Sequence, residues 1–253
     1  MPPTRVKPIP ITLVLYLLRV AHNVTRQQAH MANADMIVIA FFFLLRPGEY
    51  TGTNTDGRPF FIEDTALHLG KRRLNLQTAT IAELEAATAC SYTFTTQKNG
   101  VRGEVVMHSR SGHPLCCPVT ATIRRVLCHR RHNTPHNQPL ASYYIRNRRT
   151  TIKANDITVQ LRMAAGANIH VTGLDPSEIS ARSLRAGGAM ALLCGKVDHN
   201  LIQLLGRWHS DSMLRYLHLQ AQPIMKQFAK AMFNNGTYDF LPTETVPIKP
   251  NEP

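Results

Sequence analysis

Residues 34–49 read ADMIVIAFFFLLRPGE. The run at 36–45 is wholly apolar, and its ten residues fit a helix buried on every side rather than the roughly 20 residues that a membrane crossing needs. Pro47-Gly48 should stop this helix, because the residue before a proline is disfavoured in the helical conformation. Arg46 therefore stands where an apolar helix ends, and burying its guanidinium is costly unless the group is paired or faces an anion. The stretch predicts a central helix over Ala34–Leu45, apolar all round, with a cation at its end.

The sequence on both sides of this stretch predicts further helices. Thr12 can cap a helix that runs to Asn23, with Leu13, Leu17 and Val20 at helical spacing. The same spacing recurs after Pro118, ending in a basic run at 129–132, and again in segments at 154–166, 177–194, 198–205 and 211–218.

Two regions between these helices have the pattern of β-structure. One strand is expected within 60–76, where short runs of apolar and polar residues alternate. Residues 92–96 and 101–107 should form a hairpin around Asn99-Gly100, a dipeptide that strongly favours tight turns. Residues 133–150 are interpreted as a polar, basic connector. The predicted fold class is mainly α with a small antiparallel β-sheet (α+β).

Composition limits the class of protein. The chain has 253 residues, 43% of them hydrophobic, which is enough to bury a sizeable core and excludes disorder or a coiled coil as the main architecture. It carries 29 Lys and Arg against 16 Asp and Glu, a net charge of +13. Such an excess favours a polyanionic partner, with nucleic acid ahead of an anionic membrane surface.

Cysteine usage and the N-terminus indicate a reducing, intracellular compartment. Five cysteines, two of them adjacent at Cys116-Cys117, form no CxxC pair and no zinc-finger spacing with histidine. The apolar run Ile11–Leu18 follows basic residues, as in a signal peptide, but no small-residue cleavage site follows it. We expect no metal and no other cofactor, and a nuclear location in a eukaryote or a cytoplasmic, nucleoid-associated one in a bacterium.

Four segments carry the candidate chemistry. They are LRPGE at 45–49, Lys98 before the Asn99-Gly100 turn, RSLRAGG at 182–188, and LGRWH at 205–209 with Tyr216 following. Arg182 and Arg185 share one helix face at i,i+3 spacing, beside glycines that permit close approach of the backbone. Arginine forks suit a phosphate with developing charge, and a tyrosine hydroxyl can conserve a phosphodiester bond as a covalent intermediate.

In this order, the four segments resemble the catalytic domain of the tyrosine recombinase/integrase (phage integrase-like) family, over about residues 10–220. Arg46 with Glu49, Lys98, Arg185 and Tyr216 fall on positions of the family signature. Arg182 replaces the histidine of its HxxR motif, and Arg207, nine residues before Tyr216, stands where the family has His or Trp. An arginine cannot act as a general base near neutral pH, although it can donate hydrogen bonds to phosphate oxygens. Trp208 and His209 are therefore supporting candidates.

The resemblance implies a metal-independent, site-specific DNA recombinase or integrase from a mobile element. Tyr216 would attack the phosphate, the arginines Arg46, Arg182, Arg185 and Arg207 would stabilise the phosphorane, and Lys98 would protonate the leaving 5′-oxygen. The partner would be double-stranded DNA, with neither a membrane nor a small-molecule substrate. The basic residues Arg146, Arg148 and Arg149 would contact phosphates.

The resemblance also implies a domain organisation. Residues 1–220 would form the catalytic domain, and 221–240 a helix that packs on a neighbouring protomer of a tetramer on DNA. Composition alone predicts a loose proline-rich tail at 241–253, which holds four prolines and little to bury. The N-terminal clamp domain usual in the family would be missing or supplied elsewhere.

Several alternatives stay open at this point. The chain could be a non-catalytic DNA-binding remnant of a mobile-element recombinase, or a type IB topoisomerase-like enzyme. Lys71 or Lys153 could take the place of Lys98. Arg46 could simply cap its own helix, and Trp208 could be a core residue.

Overall fold

The structure, a computed structural model, describes residues 6–23, 28–52, 58–95 and 103–208. Within them the helices are α1 (Ile11–Asn23), α2 (Gln28–Phe42), α3 (Pro47–Tyr50), α4 (Ile81–Glu85), α5 (Pro118–Arg131), α6 (Ala154–Ala167), α7 (Ile169–Thr172), α8 (Ser183–Cys194) and α9 (His199–Gly206). The strands are β1 (Thr65–Leu69), β2 (Arg72–Arg73), β3 (Ala89–Phe94), β4 (Glu104–Ser109), β5 (Ser142–Ile145) and β6 (Arg148–Thr151). The predicted class, mainly α with a small antiparallel sheet, is confirmed.

Helix α2 is the centre of the fold, as its apolar run predicts. It packs against α1, α5, α6, α8 and β5, and every residue from Ala32 to Phe41 is buried. The helix begins at Gln28 rather than at Ala34. The prediction that this segment is apolar all round was wrong at Asp35, because this buried carboxylate receives hydrogen bonds from Arg124 and Arg125 of α5.

The end of α2 differs from the prediction, and the difference shapes the site. The helix ends at Phe42, before Pro47-Gly48, because Leu44 takes a left-handed backbone with φ of 50°. The Leu45 amide then donates to the Ala40 carbonyl at 3.0 Å, the closing bond of a Schellman turn. Pro47 opens the short helix α3 instead, a position for which its fixed φ is suited.

The predicted strand pair at 92–107 is confirmed as β3 and β4, although β3 begins earlier, at Ala89. The two are antiparallel, with Phe94 opposite Glu104, and they belong to a sheet of order β2-β1-β3-β4. Tyr92 of β3 packs edge-on against Phe43, with ring centroids 4.7 Å apart. The sheet is thereby fixed to the turn that ends α2. The Asn99-Gly100 turn lies outside the described residues.

Other local predictions need correction. Residues 142–151 form a hairpin, β5–β6, rather than an irregular connector, and its two turn residues Arg146 and Asn147 both have positive φ. The predicted helix at 177–194 is a short 3-10 turn followed by α8, which starts at Ser183. Thr12 lies inside α1 rather than capping it, and Val20 faces outward, 36% exposed.

The predicted helices at 119–132, 154–166 and 198–205 are confirmed as α5, α6 and α9. The helices predicted at 211–218 and 221–240, and the tail at 241–253, lie outside the described residues. None of the helices in the described part of the chain is long and apolar enough to cross a membrane.

Candidate active site

The candidate site forms where the turns after α2 and α9 meet. Both turns have a left-handed residue other than glycine: Leu44 in the first and Arg207, with φ of 56°, in the second. In the second turn the Trp208 amide donates to the Gln203 carbonyl at 3.0 Å, which repeats the Schellman geometry. Each turn leaves backbone carbonyls that its own helix does not satisfy, and arginine side chains bind them.

Arg185 joins the two turns from α8. Its Nη1 donates to the Leu44 carbonyl at 2.6 Å and its Nη2 donates to the Gly206 carbonyl. The guanidinium lies over the Trp208 ring, 4.0 Å from its centroid, a favourable cation–π arrangement. Arg185 is only 3% exposed. The side chain thus holds the end of α2 and the end of α9 together.

Helix α8 reaches this position because of its paired glycines. A Cβ on Gly188 would stand 2.2 Å from the Phe41 carbonyl oxygen, and one on Gly187 would stand 2.3 Å from the Ile9 carbonyl oxygen. Both distances are far shorter than real contacts to Cβ atoms, so only glycine allows α8 to lie this close to α2. The expectation of close backbone approach at these glycines is confirmed.

Arg207 points into the protein as well. Its Nη1 donates to the carbonyls of Phe43 and Leu205, and its Nη2 donates to the Leu44 carbonyl and to Glu49 Oε2, the latter pair at 3.2 Å each. Burial lowers the pKa of Arg207, and the neighbouring Glu49 carboxylate opposes that shift. The cation is therefore held by the Glu49 carboxylate and by the backbone carbonyls of the turn after α2.

Glu49 connects Arg207 to Arg46. Its carboxylate accepts the Arg46 backbone amide at 2.7 Å and Arg46 Nη1 at 3.0 Å, in addition to Arg207. The Arg46 side chain remains 31% exposed, whereas that of Arg207 is 1% exposed. Of these two cations, Arg46 is the one that an incoming anion can reach.

Arg182 lies at the start of α8, next to this cluster. The Tyr50 hydroxyl at the end of α3 donates to the Ala181 carbonyl at 3.2 Å, which ties α3 to the residue before Arg182. The Arg182 side chain is exposed. The half-buried Arg46 and the exposed Arg182 therefore flank the point where α3 meets α8.

Trp208 is mainly a core residue. It is 8% exposed and belongs to a small apolar cluster with Leu44, Ala189 and Ile202. A Cβ on Gly206 would overlap its ring, so the glycine of the LGRWH segment makes room for the tryptophan. The core interpretation of Trp208 is thus confirmed, and its ring also supports Arg185.

The remaining candidates are distributed outside this cluster. Arg146, Arg148 and Arg149 lie exposed on the separate hairpin β5–β6. Lys71 is exposed in the turn between β1 and β2. Lys153 precedes α6, and its backbone forms an isolated parallel β-bridge with Gly52. Lys98, His209 and Tyr216 lie outside the described residues.

Sequence analysis missed a second buried ionic cluster. Asp35 Oδ1 accepts Arg124 Nε at 2.8 Å, and Asp35 Oδ2 accepts Arg125 Nε at 3.0 Å. Arg125 also donates to the Ser142 carbonyl, so this cluster ties α2 to α5 and to the hairpin. Its only signal in the sequence was one aspartate at the edge of an apolar run. In the described ranges no three His, Cys, Asp or Glu side chains converge as metal ligands would.

Comparison with known proteins shows the fold. No protein-family model and no curated protein matches the sequence. Two solved structures of XerH site-specific recombinase match the structure of this chain. They are a post-cleavage complex with palindromic difH substrate and a pre-cleavage complex with difH substrate. Each has a TM-score of 0.54 and 15% sequence identity, and they cover 90% and 91% of this chain. The chain spans 53% and 55% of the two XerH chains.

A third structure, the Tn1549 transposon integrase in complex with circular-intermediate DNA, has a TM-score of 0.45 at 12% identity, with 90% of this chain and 67% of that one covered. The XerH matches confirm, at the level of the fold, the resemblance to tyrosine recombinases that the four segments predict. Identity this low leaves the chemistry to be argued from the residues themselves.

Proposed function

We propose that this chain contains the catalytic domain of a site-specific DNA recombinase or integrase that cleaves and rejoins strands through a 3′-phosphotyrosyl intermediate. The observation that carries the proposal is the assembly of Arg46, Arg185 and Arg207 around Glu49 and the Leu44 carbonyl. Leu44 and Arg185 are 141 residues apart in the sequence. Three arginines with one hydrogen-bonded carboxylate keep a net positive charge, which suits an anionic substrate.

The proposed reaction is a transesterification. The Tyr216 hydroxyl oxygen attacks the scissile phosphorus and gives up its proton to water. The bond from phosphorus to the 5′-oxygen breaks, and Lys98 gives that oxygen a proton. A 5′-hydroxyl of another strand then gives its proton back to Lys98 and attacks the phosphotyrosine. The bond from phosphorus to the Tyr216 oxygen breaks, that oxygen takes a proton from water, and the phosphodiester is restored. Arginine donors stabilise the additional negative charge of the phosphorane, so we expect the reaction to proceed in excess EDTA.

The arginines divide into two groups by exposure. Arg46 and Arg182 present side chains to solvent, and we assign them the direct hydrogen bonds to phosphate oxygens. The Arg185 guanidinium is buried beneath the same turn. From there it contributes a fixed positive charge in surroundings where charge interactions are screened less than in water.

The hairpin β5–β6 is the proposed contact with duplex DNA away from the reacting phosphate. Arg146, Arg148 and Arg149 crowd within one short hairpin, and together with Ile145 and Thr150 they line a shallow cavity of about 560 Å³. Positive φ at Arg146 and Asn147 holds the turn in the tight form typical of two-residue hairpins. Such a group of arginines would bind backbone phosphates without reading base sequence.

We further propose that the protein acts as a tetramer on DNA inside the cell, in the nucleus or nucleoid according to its host. Residues 1–220 would be the catalytic domain and 221–240 a helix that packs on a neighbouring protomer. Removing residues 221–253 should then weaken assembly on paired sites more than binding to a single site, as measured by gel shift. Equal loss of both would contradict the intermolecular role.

A covalent trap tests the proposal. A library of nicked duplexes that lose a short fragment after cleavage is incubated with the protein in EDTA, and the products are separated under denaturing conditions. We expect protein on the 3′-phosphate with the wild type and none with Tyr216→Phe, which keeps the aromatic ring. Binding by both proteins with no trap in either would overturn the proposed chemistry.

One observation favours a second candidate, the non-catalytic DNA-binding protein. Two arginines at signature positions, Arg185 and Arg207, already donate hydrogen bonds from their guanidinium groups to backbone carbonyls. If this arrangement persists on DNA, the chain would keep a basic surface without the full set of phosphate ligands. The same library distinguishes the two candidates, because this protein would bind and never trap.

A further inference from the structure

Arg207 occupies the position at which the sequence resemblance implies a hydrogen-bond donor to the scissile phosphate, yet its surroundings are unlike those of a phosphate ligand. Its side chain is 1% exposed. Its hydrogen bonds go to the carbonyls of Phe43, Leu44 and Leu205 and to Glu49 Oε2. The guanidinium is therefore directed into the domain.

An aromatic ring covers one face of the Arg207 guanidinium. Its Cζ lies 3.8 Å from the centre of the Phe94 ring. Phe94 pairs with Glu104 at the last described rung of β3 and β4, and the Glu104 carboxylate favours the charged form of Arg207. One side chain thus contacts the turn after α2, the helix α3 and the loop end of the β3–β4 pair.

The path from Arg207 to the exposed surface runs through Glu49. Glu49 Oε2 accepts both Arg207 Nη2 at 3.2 Å and the Arg46 backbone amide at 2.7 Å, while Oε1 accepts Arg46 Nη1 at 3.0 Å. Arg207 thereby fixes the carboxylate that orients Arg46, the partly exposed cation. The buried arginine can influence the reacting phosphate without touching it.

We propose that Arg207 is a positioning residue: through Glu49 it holds Arg46 in the orientation that binds the scissile phosphate, and it makes no phosphate contact of its own. The inference rests on the proposed function. It gives the arginine that replaces the family's His or Trp a role other than direct hydrogen bonding to the phosphate. It also explains why an arginine is suited here, since its several donors reach three carbonyls and a carboxylate at once.

Two measurements on Arg207→Met test this role. The first is the slope of log K against log salt for binding to duplex DNA, whose magnitude falls by about 0.9 for each phosphate that the protein no longer neutralises. We expect the magnitude of the slope to fall by about 0.9 in Arg46→Gln, at the exposed end of the same path, and to fall no further when Arg207→Met is added to that variant. A further fall of about 0.9 in the Arg46→Gln/Arg207→Met double variant would show that Arg207 binds a phosphate directly and would overturn the proposal.

The second measurement is a double-mutant cycle in single-turnover cleavage of the trapping duplex. If each single change slows cleavage about 30-fold, the Arg46→Gln/Arg207→Met double variant should also be slowed only about 30-fold, because both changes break one path. A slowing of about 900-fold would mean that the residues act independently. Arg207 would then be structural only, since loss of general stability does not cancel the effect of Arg46→Gln.

Arg207→Lys and Glu49→Gln keep the test usable if Arg207→Met does not fold. Arg207→Lys retains a cation that can reach Glu49, so it should recover part of the cleavage rate, and its salt slope should equal that of the wild type. Glu49→Gln should show the same coupling to Arg46→Gln as Arg207→Met does. A wild type that binds no DNA or never traps would refute the proposed function, whereas an active wild type with independent effects would refute this inference alone.

Discussion

Arg185 and Arg207 donate hydrogen bonds to the same acceptor, the carbonyl oxygen of Leu44, at 2.6 and 3.2 Å. Leu44 can serve both because its left-handed backbone, with φ of 50°, ends α2 before that carbonyl finds a partner within the helix. Two cations on one carbonyl would repel each other without compensation. Glu49, the Trp208 ring and the Phe94 ring supply that compensation.

Arg185→Ala should destabilise the fold strongly. The change leaves the Leu44 and Gly206 carbonyls without their Arg185 donors and removes the cation above Trp208. The Leu44 carbonyl keeps its bond from Arg207, but an unsatisfied buried carbonyl at Gly206 costs about 1–3 kcal/mol and a lost desolvated cation–π contact costs about 2 kcal/mol. We therefore expect a loss of about 3 kcal/mol in the free energy of unfolding. Urea denaturation measures it.

Arg182→Ala is the control, because this exposed arginine three residues earlier should change the free energy of unfolding by less than about 0.5 kcal/mol. Similar losses in both variants would contradict the buried, turn-joining role of Arg185.

Gly188→Ala should also be destabilising, because its Cβ would meet the Phe41 carbonyl oxygen at 2.2 Å and push α8 away from α2. We expect a loss of about 2 kcal/mol or more in the free energy of unfolding. Gly166→Ala in α6 is the matched control: its Cβ would meet only a Pro176 carbon at 3.6 Å. Alanine favours helix over glycine by about 1 kcal/mol, so this control should be neutral or stabilising. Thermal unfolding that ranks the two variants the other way would refute the close α2–α8 contact.

Acid should destabilise the protein through His129. Burial lowers the pKa of His129 to about 4, from an ordinary value of 6.5, while its Nε2 faces the Leu140 carbonyl. Between these two values the unfolded chain binds the proton and the folded chain does not. Stability is therefore complete above pH 6.5 and falls as the pH drops from 6.5 towards 4, by roughly 3 kcal/mol in all.

The free energy of unfolding, measured by urea titration across pH 4 to 7, checks this. In His129→Gln the corresponding part of the pH dependence should disappear, even if the variant is less stable at neutral pH. An unchanged pH profile in that variant would assign the effect to other groups.

The hairpin arginines should carry part of the DNA affinity. Arg146→Ala and Arg148→Ala should each weaken binding to any duplex and reduce the slope of log K against log salt by about 0.9. Arg72→Ala is the comparison, since Arg72 is exposed on β2 but paired with Glu83 at 2.7 Å. Fluorescence anisotropy at several salt concentrations gives the slopes. Equal slopes in the wild type and both hairpin variants would remove the hairpin from the interface.

Much of the architecture could be predicted because it follows from local patterns. The apolar run at 36–45 had to be buried, and the paired glycines of α8 indicated close packing. The turns could not be predicted. Schellman turns usually have glycine at the left-handed position, which makes them recognisable in a sequence. Here Leu44 and Arg207 take that position instead. Their conformations coincide with bonds to residues far away in the sequence.

The same reason explains the missed hairpin and the missed buried ions. The turn of β5–β6 uses Arg146-Asn147, without the glycine that marks most two-residue turns. Asp35 reads as an interruption of an apolar helix because its partners Arg124 and Arg125 lie about 90 residues away. The sequence located the arginines of the candidate site, but only the fold shows which of them face solvent and which face the protein.

The linkage between protein and DNA tests the central claim most directly. Trapped complexes are digested with nuclease and trypsin, and the nucleotide-bearing peptide is identified by mass spectrometry. We predict a 3′-phosphonucleotide on Tyr216, in the peptide spanning residues 216–226 or, if cleavage after Arg215 is blocked, 208–226. The complex should form equally well in EDTA. A nucleotide on any other residue, or a complex that requires Mg²⁺, would contradict the proposed mechanism.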